Sequence, residues 1–218
     1  LISAVLTAMV CAVKIPLEDN FNDIIGKAQR GLKLSDAELA SKTDVSSADL
    51  NRVKEGHFDE TAVRKLARIL GLGPDALVAS GKKSWAPKDP GDVPALASFN
   101  TTYGDMTVNS FLVWDPATKE GVSFDTGADA TGMLEQAKAH GVKIQLILLT
   151  HTHPDHIGDL ARLKKSTQAK AFVCKLEALE GAESFDAGRR FSAGKLQIET
   201  RQTSGHSVGG ITYVVSGL

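Results

Sequence analysis

The chain has 218 residues, 42% of them hydrophobic, and a formal net charge of −1. Such a composition is globular, leaves room for one full domain plus a smaller one, and gives no electrostatic basis for binding nucleic acid or a membrane surface. Its two cysteines, Cys11 and Cys174, make no disulfide framework and fit a reducing compartment, so a cytoplasmic location is expected.

Residues 1–15 form an apolar segment with one charge, Lys14. No initiator Met and no basic residues precede the apolar run, and it is too short to span a bilayer, so neither a signal peptide nor a membrane anchor is expected. From 16 to 82 the pattern is helical. Asp19 or Asn20 can cap a helix over Phe21, Ile24, Ile25 and Ala28, and Ser35 with Glu38 makes a capping box for the next helix. Ser46 to Asp49 starts a third helix that runs through Leu50 and Val53 to Lys54 and is closed by Gly56. Thr61 to Leu70 is amphipathic and ends at Gly71, and four or five short helices in this order predict a small all-α bundle.

Within that bundle, Leu34 to Ser46 followed by Asp49 to Glu55 resembles the helix-turn-helix of the lambda-repressor-like group. The resemblance implies that a helix near 47–54 would enter the major groove. Charge argues against it: residues 16–82 carry ten basic and eleven acidic side chains, and Asp49 and Glu55 flank the would-be reading helix where phosphates would repel them. No nucleic-acid-binding residue is therefore assigned, and a structural or dimerising role, with homo-oligomerisation as one outcome, is the expectation for this unit. Residues 83–94, rich in Pro and charge and without periodicity, read as a linker.

From 95 onward the pattern changes. Strands are predicted near 96–99, 106–114 and 120–124, a helix over 129–140, and a buried strand over 143–149. A helix near 157–165 follows, then strands at 170–174, 189–191, 195–203 and 210–216. Alternating strands and helices predict an α/β layered sheet with helices packed outside.

Directly after the apolar run 143–149 comes Thr150-His151-Thr152-His153-Pro154-Asp155-His156. Imidazole nitrogen and carboxylate oxygen suit borderline ions, so this cluster points to Zn, with Fe or Mn as the other ions such a set accepts. Pro154 argues against a helix, which predicts a ligand loop just past a strand end. His151 and His153 can converge on one ion while Asp155 and His156 serve a neighbour, so the spacing suggests two metals. His57 and His140 read as ordinary surface or helix-end histidines, and Gly205, Gly209 and Gly210 as turn glycines.

The His-x-His-x-Asp-His signature at His151, His153, Asp155 and His156 resembles that of the metallo-β-lactamase superfamily. Met106 to Trp114 and Gly121 to Gly127 look like its opening strands and Asp-x-Gly turn, and Thr203-Ser204-Gly205-His206-Ser207 like its Gly-His-Thr/Ser segment. The resemblance covers roughly 95–218 and implies a partial αββα sandwich. It implies that His151, His153 and His206 hold the first metal, that Asp155 and His156 begin a second site, and that Asp125 orients a ligand. It also implies a bridging Asp and a last His further on, and neither occurs after His206, so a fragment truncated at its C-terminus is expected. The missing part would supply the second half of the sandwich, so such a fragment is expected to expose a large apolar surface.

The implied chemistry is hydrolysis by metal-activated water, with Asp155 orienting the attacking oxygen, on a small thioester or other ester- or amide-like substrate of the glyoxalase II type. Two rivals stand beside it: a mononuclear iron dioxygenase acting on a persulfide, and a DNA-binding regulator whose metal domain senses a ligand.

Overall fold

The computed structural model describes residues 19–88 and 91–218; the apolar segment 1–15 lies outside them. The described residues fall into two compact units, one holding 19–29 with 34–92 and the other 30–33 with 93–218.

The first unit is helical: α1 Phe21–Gly31, α2 Asp36–Thr43, α3 Ser47–Lys54, α4 Glu60–Ile69 and α5 Pro74–Gly81. Side chains at the starts of the middle three satisfy amides that a helix leaves unpaired. Ser35 and Glu38 form the reciprocal capping box on α2, Ser46 accepts from the amide of Asp49, and Asp59 accepts from that of Ala62. One face of each helix then goes inward, and Ile25, Leu39, Leu50, Val63 and Leu66 make a core from which water is excluded.

In the second unit the helices alternate with strands. The elements are β1 Leu96–Tyr103, β2 Met106–Trp114, β3 Glu120–Phe124, α6 Thr131–His140, β4 Lys143–Leu148, α7 Pro154–Ile157, α8 Leu160–Thr167 and β5 Lys170–Cys174. A 3-10 turn at Lys175–Glu177 follows, then β6 Glu183–Phe185, β7 Arg190–Ala193, β8 Leu196–Gln202 and β9 Ile211–Ser216. Strands β1 to β6 form one sheet in sequence order, and β7 to β9 a second. The first sheet is antiparallel through β1, β2 and β3, then parallel through β3, β4, β5 and β6.

The layering follows from the period-two alternation of strand side chains. Leu112, Ile147 and Val173 face α6 and α8 and pack with Met133, Ala137, Leu160 and Leu163. Their chain neighbours Val113, Leu148 and Cys174 point the other way and pack with Phe191, Leu196, Ile198 and Ile211 of the second sheet. Because both faces of the six-stranded sheet are covered, β4 is apolar almost throughout. Each Leu or Ile so buried contributes about 1.5–3 kcal/mol of transfer free energy. The result is helix, sheet, sheet, in keeping with a partial sandwich. A hollow of about 460 Å³ is lined by Leu96, Phe111, Phe124, Ile211, Tyr213 and Val215.

Three sequence expectations need correction. Pro154 does not keep the motif out of a helix: it occupies the first position of the short helix α7, where its missing N–H costs nothing, and Asp155 and His156 ride on that turn. The single helix expected near 157–165 is two, broken at Gly158-Asp159. The edge strand β6 was not foreseen. With only three residues and one buried side chain, Phe185, it carries too little pattern to announce itself.

Candidate metal centre

The parallel strands β3, β4 and β5 all run the same way, so the residues that follow each of them gather at one end of the sheet. Asp125 follows β3, Thr150 and His151 follow β4, and Glu177 follows β5. Crevices at the carboxyl ends of parallel strands are where open α/β sheets place their sites. The second sheet adds a fourth contribution: the amide of Ile211, at the head of β9, donates to the carbonyl of Thr150 at 2.9 Å. His206 sits in the loop between β8 and β9.

Three imidazoles converge there. His206 Nε2 is 3.2 Å from His151 Nε2 and 3.0 Å from His153 Nδ1. An ion bound tetrahedrally at about 2.0–2.1 Å would set its nitrogen ligands about 3.3 Å apart; the two spacings to His206 are close to that, and all three donor atoms lie within 4.8 Å of one another. No second group of three such ligands occurs among the described residues.

Local hydrogen bonding presents the right nitrogen of His151. Thr150 Oγ1 donates to Asp125 Oδ2 at 2.7 Å, so its oxygen is left to accept from His151 Nδ1, 2.9 Å away. The ring proton therefore stays on Nδ1 and Nε2 offers its lone pair to the other imidazoles. Asp125 is the hub of this arrangement. Buried in the turn after β3, it also accepts from the amide of Thr150 at 2.7 Å and from His156 Nδ1 at 2.8 Å. Its φ of +58° is one that Asp tolerates better than most residues, and Gly127, at φ +66°, completes the turn.

His156, with its Nδ1 proton on Asp125, turns Nε2 toward Asp155 Oδ2 at 3.5 Å. This pair lies beside the imidazole trio, and the His156 and His151 rings are 4.0 Å apart between centroids. Of the other histidines, His140 ends α6 and packs on Trp114, 5.3 Å between centroids, away from this cluster.

Two contributors were not assigned from sequence. Thr150 was visible only as part of the motif, and its role depends on where β3 delivers Asp125. Glu177 carries no local signal, because Lys175-Leu176-Glu177 reads as an unremarkable turn. It accepts from the amide and hydroxyl of Thr152 at 3.0 and 3.2 Å and from the amide of Gly209 at 2.7 Å. Burial pushes its carboxyl up, but the Ser207 hydroxyl beside it and the amides of Gly209 and Thr152 hold it below the usual glutamate range.

Burial, and next the neighbouring His156, His153 and His206, push the His151 imidazole down from 6.5 to about 4. In the metal-free protein the unfolded chain takes up that proton near pH 6.5, while the folded chain does so only near pH 4. The unfolded state then binds more protons across this window, so stability is full above pH 6.5 and falls as the pH drops toward 4. Allowing for residual solvent contact, the loss is expected to be about 2 kcal/mol. Urea midpoints of metal-free protein at pH 7 and pH 4.5 would read it, and a His151→Gln variant should lose most of the difference.

The family model for the metallo-beta-lactamase superfamily matches residues 103–217, more than half of the chain. A hydroxyacylglutathione hydrolase of Rhodopseudomonas palustris is 30% identical over 128 residues, covering 57% of this chain and 48% of that protein. A beta-lactamase hydrolase-like protein of Agrobacterium fabrum is 31% identical over 122 residues, covering 47% of this chain and 28% of that protein. The chain thus spans about half or less of the length of these curated relatives. Among solved structures, ETHE1 from Myxococcus xanthus is similar over 55% of this chain and 53% of its own, at 22% identity and a TM-score of 0.49.

Proposed function

The chain belongs to the metallo-beta-lactamase superfamily, and on that premise we propose that it is a metal-dependent hydrolase acting on a thioester or another small ester- or amide-like substrate. The observation that carries this reading is the convergence of the His151, His153 and His206 nitrogens, all within 4.8 Å of one another, with His206 at 3.2 and 3.0 Å from the other two. In this reading those three hold one zinc ion, and Asp155 with His156 begins a second site. Bound zinc supplies Lewis acidity, lowering the pKa of water toward ~7 and polarising a scissile carbonyl.

The chain's own residues do the rest. Thr150 and Asp125 hold His151 and His156 in one tautomer each, so that no proton competes for the ligand nitrogens. The Asp155 carboxylate, buried beside His156 Nε2, orients the attacking water and accepts its proton. No serine or cysteine nucleophile is required. The thioester preference rests on likeness to hydroxyacylglutathione hydrolases at about 30% identity over roughly half of each chain. We assign the helical unit, residues 16–82, a structural or dimerising role. Among the described residues no helix is long and apolar enough to cross a membrane. The proposed cytoplasmic location rests on the two cysteines that make no disulfide framework.

Thiol release from 2-hydroxyacyl thioesters of glutathione, followed in zinc-loaded and chelator-treated protein, tests the reading. Release that vanishes on chelation and returns with zinc is expected. Zinc bound without release of any acyl group from a panel of thioesters and esters would overturn it. Iron bound in place of zinc, with persulfide consumed, would establish the dioxygenase instead.

A further inference from the structure

We infer that Glu177 is a positioning residue that sets the distance between the two ligand-bearing loops of the metal centre. This rests on the metal-site reading above.

His151 and His153 lie on the loop after β4, and His206 on the loop between β8 and β9. These loops belong to different sheets, yet His206 Nε2 stands 3.0–3.2 Å from the ring nitrogens of His151 and His153. Glu177 touches both. One carboxylate oxygen, Oε2, accepts from the amide and hydroxyl of Thr152, the residue between the first two histidines. The other, Oε1, accepts from the amide of Gly209, three residues after His206. A rigid, planar group with one oxygen committed to each loop acts as a spacer. Its own backbone is fixed by the 3-10 turn that ends β5.

The fit is close on the Gly209 side. A Cβ at Gly209 would lie 2.9 Å from Glu177 Cγ and 3.2 Å from its Cβ and Cδ. The side chain cannot swing away without giving up Thr152, so Gly209 is required by contact rather than by backbone conformation. Among the described residues the converging ligand group is His151, His153 and His206, with Glu177 outside it, and spacing is the contribution its bonds to both loops make.

Two substitutions separate position from charge. Glu177→Gln keeps the shape but has one acceptor oxygen, so one loop amide must face an NH2 group. Gly209→Ala keeps the carboxylate and displaces it. Zinc affinity measured by chelator competition, together with the visible absorption of the cobalt-substituted protein, reads the geometry of the centre apart from overall folding. Both variants are expected to bind roughly 10–100-fold more weakly than the unsubstituted chain, with altered cobalt bands. Glu180→Gln, an exposed change nearby, should leave both readings unchanged. Affinities within about twofold in both folded variants would overturn the inference. So would weakening in Glu177→Gln alone, which would mean that the carboxylate acts by charge. Should Glu177→Gln not fold without metal, Gly209→Ala decides the matter by itself. Failure of the unsubstituted chain to bind zinc or cobalt would instead overturn the metal-site reading.

Discussion

Replacing His151 by Ala is expected to strip the chain of bound metal and of the thermal stabilisation that zinc confers. His151 is the best-prepared of the three converging imidazoles. It is buried, its Nδ1 is held by Thr150, and its Nε2 faces His206. Removing it leaves His153 and His206, two ligands where an open hydrolytic zinc site needs three. A ligand present at about 1,000 times its dissociation constant stabilises the folded state by about 4 kcal/mol, and that increment should disappear. Metal content by plasma mass spectrometry after dialysis, with melting curves at zero and excess zinc, measures both effects. Retained zinc in the variant would mean that the trio is not the centre. In the metal-free state the substitution should be milder, since the lost imidazole is a neutral buried ring whose hydroxyl partner keeps Asp125.

Asp125→Asn should cost both metal affinity and stability while leaving the backbone in place. The native carboxylate accepts three hydrogen bonds: two from Thr150 and one from His156. An asparagine has one acceptor oxygen, so at least one of those donors meets an NH2 group. The φ of +58° at this position is one that Asn accepts as readily as Asp, so turn strain is not the cause. Leaving a buried donor unpaired costs about 1–3 kcal/mol. Freed from Asp125, His156 can rotate and the proton on His151 is no longer dictated through Thr150, which should weaken zinc binding roughly 10–100-fold. Urea unfolding of the metal-free variant and chelator competition of the loaded one give the two numbers separately. A variant as stable and as avid as the parent would remove Asp125 from the account of the centre.

Much of the fold could be read from the chain because the second unit obeys simple periods. β2, β3 and β5 occupy the residues expected of them: β2 is rich in β-branched and aromatic side chains, and β3 and β5 each carry a Val and a Phe. Where local rules compete, the reading failed. Pro154 breaks a helix interior but suits a helix start, and nothing in the sequence beside it says which applies. The candidate centre was legible to the same extent. His151, His153, Asp155 and His156 stand within six residues, so their density alone drew attention to them. Glu177 was invisible, because its importance comes from β5 lying next to β4 and from a loop that returns more than thirty residues later.

The bond from the Tyr213 hydroxyl to the carbonyl of Leu149, 2.7 Å long and spanning 64 residues of chain, joins β9 to the very end of β4. With the Ile211 amide on Thr150, it means that the His206 loop reaches its place only when β9 docks against a sheet that already exists. Closing so long a segment is slow compared with forming helices or hairpins, because its entropy must be lost before any contact repays it. In the order of folding events the three-histidine cluster is therefore expected late. Metal bound there is then expected to hold the assembled site rather than to nucleate it.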